Sequence, residues 1–478
     1  MRIDGQHLSV DDFAGLAAAP LRVTVTPEAM DRVRASHGWA VRLRGERPLY
    51  GRTTGVGANR EVAIEASVEA AQNLLVSHAT AAGPPRSAER VRALLLVRLN
   101  QLCAGGSGIS PQVVTALERL ICADALPVIR EHTGVGTADL SALATIALAV
   151  QEHDGTLLLG PDDALPFLSS NAAALADAGL GLSRLSRAAR AGLAVAALSF
   201  TAVDGNLEAF SRAVERVTPM LGARATCRAM RALIGSEASK GLRIQDPYGL
   251  RALPQSHGVL LDALAALRDT VGAYVNAPSE NPVVLPDGAV AHHGGFHASY
   301  LAVAADSVRV AAVQSAQLVL HRLTYLSEPA HTGLAAFLGD GTPGASGVMV
   351  VEYVAAAALG DLRSAAAPAA VQTTSLSRGA EDHASFASLA ARQLLATADS
   401  YELLVAAELL TAVRANRMRD QVPGGALGEV LAACAELPTE SHDRDLTADL
   451  EIAGRLIGSL TDFVDLQLPD SSWENDLG

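Results

Sequence analysis

Cysteine, aromatic residues and charge are all scarce in this chain of 478 residues. The four cysteines are far apart and show no CxxC spacing, so neither a zinc knuckle nor a disulfide framework is indicated. A reducing cytoplasm is therefore the expected compartment. Aromatic residues make up 4% of the chain and charged residues 18%, whereas hydrophobic residues reach 49%, which is typical of a globular protein with a large core.

Segments that would address the chain to a membrane are also missing. Asp4 and His7 stand where a secretory signal would need an apolar run. Uncharged, mostly apolar runs such as residues 191–203 are shorter than the roughly 18–20 residues that cross a bilayer. We therefore expect a cytoplasmic protein with no membrane partner.

Positive charge is in deficit, with 37 Lys and Arg against 51 Asp and Glu and a net charge of -14. A chain of this charge repels phosphate backbones unless a local patch overrides the balance. Nucleic acid is therefore not expected as a partner, and a small-molecule ligand is the better hypothesis.

The distribution of glycine and proline predicts long helices in the later part of the chain. Both residues are frequent up to about residue 180, yet they are absent from 297–327 and from 380–422. An earlier segment, Ser87–Leu102, carries apolar residues at i, i+3 and i+4 spacing, which indicates an amphipathic helix. Helices of this length need partners, so the sequence predicts a mainly α fold containing a helical bundle with close alanine packing.

Three segments concentrate polar and turn residues. The loop Tyr50-Gly-Arg-Thr-Thr-Gly-Val-Gly could hold a tyrosine over a cleft, although it lacks the context of a dinucleotide or phosphate loop. Residues 132–144 form a glycine-rich turn entering a helix, with Asp139 or Ser141 available as the N-cap. Residues 245–255 contain an arginine that could bind a carboxylate bidentately. Each segment by itself also fits an ordinary surface loop or helix cap.

Taken in order, the motifs resemble those of the histidine and aromatic amino-acid ammonia-lyase superfamily. The tyrosine loop is similar to YGxNTG, residues 73–78 to NLxxSH, residues 98–102 to RLNxL and residues 245–255 to QDxYSLRCxPQ. Further matches are Ser279-Glu-Asn-Pro, Phe296-His297, Ser346-Gly-Val-Met and Glu381-Asp-His-Ala-Ser. Their common order, over nearly the whole chain, carries the resemblance.

The resemblance implies a homotetramer with active sites shared between subunits. Each protomer would have an N-terminal helical active-site domain with short strands, at residues 1–200, and a central long-helix bundle domain, at residues 201–478. It also implies a prosthetic group, methylideneimidazolone, which forms in the family from an Ala-Ser-Gly tripeptide and acts as an electrophile.

The tripeptide is where this chain departs from the family. The matching residues are Gly136, Thr137 and Ala138. Dehydration of a threonine would give a methyl-substituted and more hindered alkene, and Ala138 adds a Cβ beside the nitrogen that must attack. We therefore expect no competent methylideneimidazolone and no other cofactor.

The resemblance assigns roles to the remaining site residues. Two tyrosines are catalytic candidates, with Tyr50 as the β-proton base, which needs a lowered pKa to act near neutrality, and Tyr248 beside it. The substrate-binding candidates are His78, Arg251 as the carboxylate clamp, Phe296 as a pocket wall, and Glu381. The family's active-site asparagine aligns with Asp177, or with Asn171 if the alignment slips.

Several of these residues also have structural explanations. His78 could cap a helix, and Glu381 could pair with a cation at a subunit interface. The spacing of His293 and His297 could suggest a metal, but the two glycines between them oppose a helix at that point and no carboxylate cluster completes the ligands. No metal is expected.

Four functions follow from this pattern. The leading hypothesis is a carbon–nitrogen lyase that carries out tyrosine-assisted β-elimination from a polar-ring amino acid or its betaine without the prosthetic group. The alternatives are an isomerase, dehydratase or cyclase of a specialised metabolite, a conventional ammonia-lyase with a threonine-derived electrophile, and a non-catalytic binding protein.

Overall fold

The computed structural model describes residues 1–235, 241–419 and 423–465, and helices dominate these residues. Elements in the first part of the chain are β1 (Arg2–Ile3), α1 (Val10–Leu16), β2 (Thr24–Val25), α2 (Pro27–Arg44), α3 (Val68–His78), β3 (Ala82–Pro85), α4 (Ala88–Cys103), α5 (Pro111–Cys122), β4 (Arg130–His132), α6 (Leu140–Asp154), α7 (Ala164–Leu168) and α8 (Ala172–Ala202). The later elements are α9 (Arg212–Val217), α10 (Leu221–Ile234), α11 (Tyr248–Arg251), α12 (Leu253–Val275), β5 (Val283–Val284), β6 (Val290–Ala291), α13 (Ser299–Ser327), α14 (Pro329–Thr332), α15 (Met349–Ala365), α16 (Ala387–Arg417), α17 (Gly425–Ala433) and α18 (Thr447–Asp465). The predicted mainly α fold is confirmed.

The predicted long helices correspond to α13 and α16, and the predicted amphipathic helix corresponds to α4. The side chain of Ser87 caps α4 by accepting a hydrogen bond from the backbone N–H of Arg90. Helix α6 ends at Gly155, whose φ of 76° is favourable for glycine. The end of the second predicted helix lies at residues 420–422, outside the described residues.

Alanine occupies many of the buried positions of the long helices. Ala194 and Ala196 in α8 are fully buried, as are Ala406 and Ala407 in α16, at 1% exposure or less. Small side chains allow helices to approach closely, which explains how a chain with few aromatics still fills its core.

The chain forms two compact units, each assembled from three separate segments. The first unit contains residues 1–183, 267–306 and 368–392, and the second contains 184–266, 307–367 and 393–478. Four long helices, α8, α12, α13 and α16, contribute residues to both units. This arrangement differs from the contiguous division predicted at residue 200, because the chain leaves the first unit and returns to it twice.

Strands are few and short in the described residues, and they occur in the first unit. Strands β1 and β2 pair in parallel, whereas β3 with β4 and β5 with β6 pair antiparallel. Strand β4 leads directly into residues 133–139, and an isolated bridge then joins Thr137 to His297. The small sheets therefore position loops rather than form a core.

Candidate active site

A pocket of about 640 Å³ opens in the first unit, where loops from distant parts of the sequence meet. Five residues predicted for the site line it: Tyr50, Thr137, Ala138, Phe296 and Glu381. They lie in the loop after α2, before α6, before α13 and before α16. Tertiary structure thus brings together residues separated by more than 300 positions.

Tyr50 lies in a loop that folds back on itself. Its hydroxyl oxygen accepts a hydrogen bond of 2.7 Å from the backbone N–H of Gly57, and its own N–H donates to Nε2 of His292 at 3.2 Å. Burial raises the pKa of the phenol, and the carboxylate of Glu381 raises it further, whereas the Gly57 N–H and Arg60 oppose the change. The acidified tyrosine expected from the sequence is therefore not found in the single chain.

The tripeptide has an unusual backbone at both ends. Gly136 has a φ of 90°, and a Cβ at this position would lie 2.2 Å from Oγ of Ser385 and 2.8 Å from the backbone nitrogen of Ala387. Ala138 has a φ of 80° and is 4% exposed. The loop therefore requires glycine at the first position and tolerates a left-handed alanine at the third.

Hydrogen bonds from the start of α16 hold the backbone of this loop. The hydroxyl of Ser385 donates to the carbonyl of Gly136 at 2.9 Å, and the hydroxyl of Ser388 donates to the carbonyl of Gly134 at 2.9 Å. The backbone N–H of Phe386 donates to the carbonyl of Val135 at 2.8 Å. Two segments separated by about 250 residues are locked together beside the pocket.

Thr137 and Glu381 form the central polar contact of the pocket. The threonine hydroxyl donates to Oε2 of Glu381 at 2.8 Å. Glu381 is half-buried, and its backbone forms an isolated bridge with Leu376. The carboxylate is therefore held in place and can accept a hydrogen bond from a polar group in the pocket.

Three histidines that received no role from the sequence also line the pocket: His292, His297 and His383. Nε2 of His297 lies 3.0 Å from Nδ1 of His383. Burial lowers the pKa of both His292 and His297, so both imidazoles are neutral at neutral pH. His297 and His383 stand in two of the matched motifs, beside Phe296 and close to Glu381, which are the residues of those motifs that the resemblance assigns to the site.

Asp139 follows the tripeptide and precedes α6. The sequence predicted Asp139 or Ser141 as the N-cap of this helix, but the side chain of Asp139 makes no capping hydrogen bond. Its Oδ2 instead accepts a hydrogen bond of 2.9 Å from the backbone N–H of Ala174, at the start of α8. Complete burial raises the pKa of this carboxyl to about 6.

His78, Tyr248 and Arg251 are not among the described residues that line the pocket. His78 ends α3, and its Nδ1 lies 2.9 Å from the carbonyl oxygen of Leu74 in the same helix, which is the capping arrangement. Tyr248 and Arg251 belong to the second unit, where the guanidinium lies 4.3 Å from the centroid of the tyrosine ring. Their catalytic and binding roles remain predictions.

Asp177 is a buried ion-pair partner. Its Oδ1 accepts from Nε of Arg90 at 2.8 Å, and its Oδ2 accepts from Nη1 of Arg86 at 2.8 Å. Asn171 is also buried, and neither residue is among the described residues that line the pocket. Between α7 and α8, the residue that lines the pocket is Ser169. Its hydroxyl accepts a hydrogen bond of 2.9 Å from the backbone N–H of Asn281. The sequence offered no periodic signal for it, because the segment lies between two helices.

Among residues 1–235, 241–419 and 423–465, no group of three or more His, Cys, Asp or Glu side chains is arranged to hold a metal ion. In the same residues no helix is both long and apolar enough to cross a bilayer.

The chain belongs to the family described as Aromatic amino acid lyase, which it matches over residues 8–157 and 151–436. It is 31% identical over 485 residues to a histidine ammonia-lyase from Gloeobacter violaceus, with 94% of each chain covered. The predicted superfamily relationship is therefore confirmed, and the chain is an enzyme of the carbon–nitrogen lyase type.

Solved structures share the same fold. Ergothionase from Treponema denticola, an ergothioneine-degrading enzyme, superposes with a TM-score of 0.88 at 22% identity over 97% of this chain and 99% of that one. Tyrosine aminomutase from Streptomyces globisporus superposes with a TM-score of 0.89 at 24% identity over 98% and 99%. The ammonia-lyase-like fold predicted from the motifs is confirmed.

Proposed function

We propose that this enzyme catalyses a tyrosine-assisted β-elimination that cleaves the carbon–nitrogen bond of a polar-ring amino acid or its betaine. The observation that carries the proposal is the meeting of Tyr50, Thr137, Phe296 and Glu381 in one pocket of the first unit. A proton-transfer group, an apolar wall and a carboxylate acceptor are the elements that such a reaction needs.

The preference for a polar ring rests on Glu381 and the pocket histidines. A half-buried carboxylate favours a ring that carries an N–H donor, because a purely apolar ring would leave the charge without compensation. Phe296 can pack against the flat face of the same ring. An imidazole ring satisfies both requirements.

The substrate carboxylate is assigned in this proposal to Arg251 of a neighbouring subunit, since Arg251 of the same chain is not among the described residues that line the pocket. Its Nε is buried and has no hydrogen-bond partner among the described residues, so the guanidinium retains a donor for a ligand. Arginine binds carboxylates through two parallel N–H groups, which favours it over lysine for this role. Tyr248, stacked against this guanidinium, is proposed to act beside it.

Methylideneimidazolone is not part of the proposed mechanism, because the residues at its position do not fit it. Ring formation requires the nitrogen of the third residue to attack the carbonyl of the first, and Ala138 places a buried Cβ beside that nitrogen. A Cβ at Gly136, as in the family's alanine, would lie 2.8 Å from the backbone nitrogen of Ala387, which cannot rotate away. The backbone around residues 136–138 therefore favours Gly-Thr-Ala over Ala-Ser-Gly, the tripeptide from which the prosthetic group forms.

Without that electrophile, the substrate must supply its own activation. A quaternary ammonium group does so, because it departs as a neutral amine while the electron pair of the β C–H bond forms the alkene. A betaine is therefore the preferred substrate class. The similarity in fold to an ergothioneine-degrading enzyme supports including ergothioneine among the compounds tested.

The proposal is tested by measuring amine release and new conjugated absorbance with histidine, its betaine, ergothioneine and aromatic amino acids. Tyr50→Phe removes the hydroxyl and should lower kcat by about 100-fold or more, with ligand binding retained. Tyr353→Phe is the control, because Tyr353 on α15 is not among the described residues that line the pocket and phenylalanine keeps the ring that would pack against another subunit. Unchanged turnover in Tyr50→Phe would remove its role, and a rearranged product without amine release would favour an isomerase.

We also propose a cytoplasmic homotetramer with active sites shared between subunits. Large apolar side chains are exposed on the helices of the single chain, including Tyr300 on α13 at 75% and Tyr353 on α15 at 70%. Exposed aromatic residues of this kind mark surfaces that pack against other protein. The four cysteines are free thiols, which suits a reducing compartment.

A further inference from the structure

His297 and His383 form a directly bonded imidazole pair on the wall of the pocket. Nε2 of His297 lies 3.0 Å from Nδ1 of His383, and the ring centroids are 5.1 Å apart. The other ring nitrogen of His297, Nδ1, lies 3.1 Å from the hydroxyl of Ser299. Nε2 of His383 has no hydrogen-bond partner among the described residues, and this side chain is exposed.

The two contacts allow a single arrangement of protons that leaves a basic site in the pocket. If Nδ1 of His383 carries a proton and donates it to Nε2 of His297, then His297 carries its own proton on Nδ1 and donates to Ser299. Nε2 of His383 is then a free lone pair. In this arrangement His297 fixes the tautomer of His383 and would stabilise its imidazolium, as a hydrogen-bonded partner does for a catalytic histidine.

The backbone around His297 keeps this pair beside the tripeptide. His297 forms an isolated bridge with Thr137, and its N–H donates to the carbonyl of Gly294 at 2.9 Å. His383 lies two residues after Glu381, whose carboxylate accepts a hydrogen bond from the hydroxyl of Thr137. The histidine pair, the tripeptide and the Glu381 carboxylate are therefore linked by hydrogen bonds and by the backbone bridge.

The proposed elimination needs such an acceptor. Burial raises the pKa of Tyr50, so its hydroxyl keeps its proton at neutral pH and cannot be the final destination of the β-proton. Burial and the neighbouring His383 lower the pKa of His297, which keeps this imidazole neutral at neutral pH and available as a hydrogen-bond partner for His383. The charged or titratable groups that share the pocket with the pair are Tyr50, Arg60, Glu61, His292, Glu381 and Asp382.

We propose that Nε2 of His383 is the final proton acceptor of the elimination and that His297 is its positioning residue. This inference rests on the proposed function. The β C–H bond breaks and its electron pair forms the alkene, and the C–N bond breaks and its pair leaves on the amine. The Tyr50 hydroxyl takes the β-proton as it passes its own proton to Nε2 of His383, so that Tyr50 is unchanged and the proton ends on His383. Because His383 is exposed, the imidazolium can then release the proton to solvent.

Two variants separate the proton-accepting role from a structural one. His383→Asn keeps an amide near the position of Nδ1, and His297→Gln keeps one near Nε2, so each can preserve the bond within the pair while removing a basic nitrogen. His153→Asn is the matched control, because His153 is an exposed histidine in the last turn of α6. Thermal unfolding confirms that each variant folds, and His383→Gln replaces His383→Asn if the latter does not.

The pH dependence of kcat/KM for amine release is then measured for the full-length protein with the best substrate. His383→Asn should lower the rate by about 100-fold or more and remove the loss of activity on the acidic side, and added imidazole should restore part of the rate. His297→Gln should lose less activity and shift the acidic limb. A wild-type profile in His383→Asn, or a loss that imidazole does not restore, would overturn the proposal.

Loss of β-deuterium from the substrate is followed in the same assays, so that failure of the elimination and failure of the acceptor are distinct. If the wild type exchanges β-hydrogen without releasing amine, elimination is wrong, and the exchange rates of the variants decide the role of His383. If the wild type does neither, both proposals are overturned. If it releases amine and the variants behave as it does, only the acceptor is wrong.

Discussion

At position 136 the backbone conformation, rather than the chemistry of a side chain, dictates the residue. Gly136 has a φ of 90°, and a Cβ there would meet the hydroxyl of Ser385 at 2.2 Å and the backbone nitrogen of Ala387 at 2.8 Å. The serine could rotate away, but the backbone of α16 could not. The difference from the family's alanine is therefore accommodated by the surrounding structure.

Replacement of Gly136 by alanine should lower the free energy of unfolding by about 2–4 kcal/mol, from steric overlap and a left-handed φ together. Gly38→Ala is the control, because Gly38 is exposed in α2 with nothing within 4 Å of a new Cβ. That variant should gain roughly 0.5–1 kcal/mol. Urea unfolding of both variants measures the difference, and equal stability would contradict the steric account.

Between elements, the ion pairs of Asp177 connect α8 to α4 and to the segment before it. Arg90 donates to Asp177 at 2.8 Å and also pairs with Glu131 on β4. The carboxylate is fully buried, and both its oxygens are occupied. The Asp177 carboxylate therefore stabilises the contact of α8 with α4 and, through Arg90, with β4, the strand that precedes the tripeptide.

We predict that Asp177→Asn lowers the free energy of unfolding by about 3–5 kcal/mol, because it leaves the buried guanidinium of Arg86 without its ion-pair partner and removes one of the two carboxylates that pair with Arg90. Asp31→Asn should change it by less than about 1 kcal/mol, since Asp31 pairs with Arg34 at 71% exposure. Chemical denaturation compares the two. Normal stability with a large loss of kcat/KM would instead assign Asp177 to the chemistry.

A second contact between elements makes the stability of the bundle depend on pH. His257 on α12 lies 2.8 Å from the hydroxyl of Ser315 on α13, which lies 2.7 Å from the hydroxyl of Tyr401 on α16. Burial lowers the pKa of His257 to about 3, and Arg322 adds to the effect. The folded chain therefore binds a proton at this site far more weakly than the unfolded chain does.

The direction of the pH dependence follows from this difference. The stability contributed by neutral His257 is fully present above its ordinary pKa of 6.5 and is lost as the pH falls from 6.5 towards 3, by about 5 kcal/mol in total. Urea midpoints at several pH values should show a shallower loss in His257→Asn than in the wild type. The exposed His153→Asn should follow the wild type, and an unchanged slope in His257→Asn would sink the prediction.

Two properties of the whole molecule can be read from its mass: whether residues 136–138 are cyclised, and how many chains assemble. Cyclisation with double dehydration of a tripeptide removes two waters, which is about 36 Da by stoichiometry. We predict that the denatured chain shows its full sequence mass, because Gly136, Thr137 and Ala138 stay unmodified. Native mass spectrometry should show four chains together. A deficit of two waters would restore the conventional ammonia-lyase hypothesis.

Much of the fold could be predicted from local patterns. Glycine and proline are absent from the segments that became α13 and α16, and the apolar spacing in 87–102 became α4. The two compact units could not be predicted, because which segment returns to which core depends on contacts between distant helices. Periodicity describes one helix at a time.

The candidate site divides in the same way. The identities of Tyr50, Phe296 and Glu381, and the Gly-Thr-Ala replacement, were readable in the sequence because each stands in a recognisable motif. Asp177 was the preferred position for the family's asparagine, yet the structure occupies both its oxygens with arginines. Alignment along one chain cannot tell a buried ion-pair partner from a pocket residue.

By itself the sequence determined the helical class, the family and the chemical types of the pocket residues, since these depend on residue type and order. Only tertiary structure decided that His297 and His383 bond to each other, that Ser169 enters the pocket, and that burial raises the pKa of Tyr50. Distances between side chains and the loss of solvent around them arise from packing of segments hundreds of residues apart.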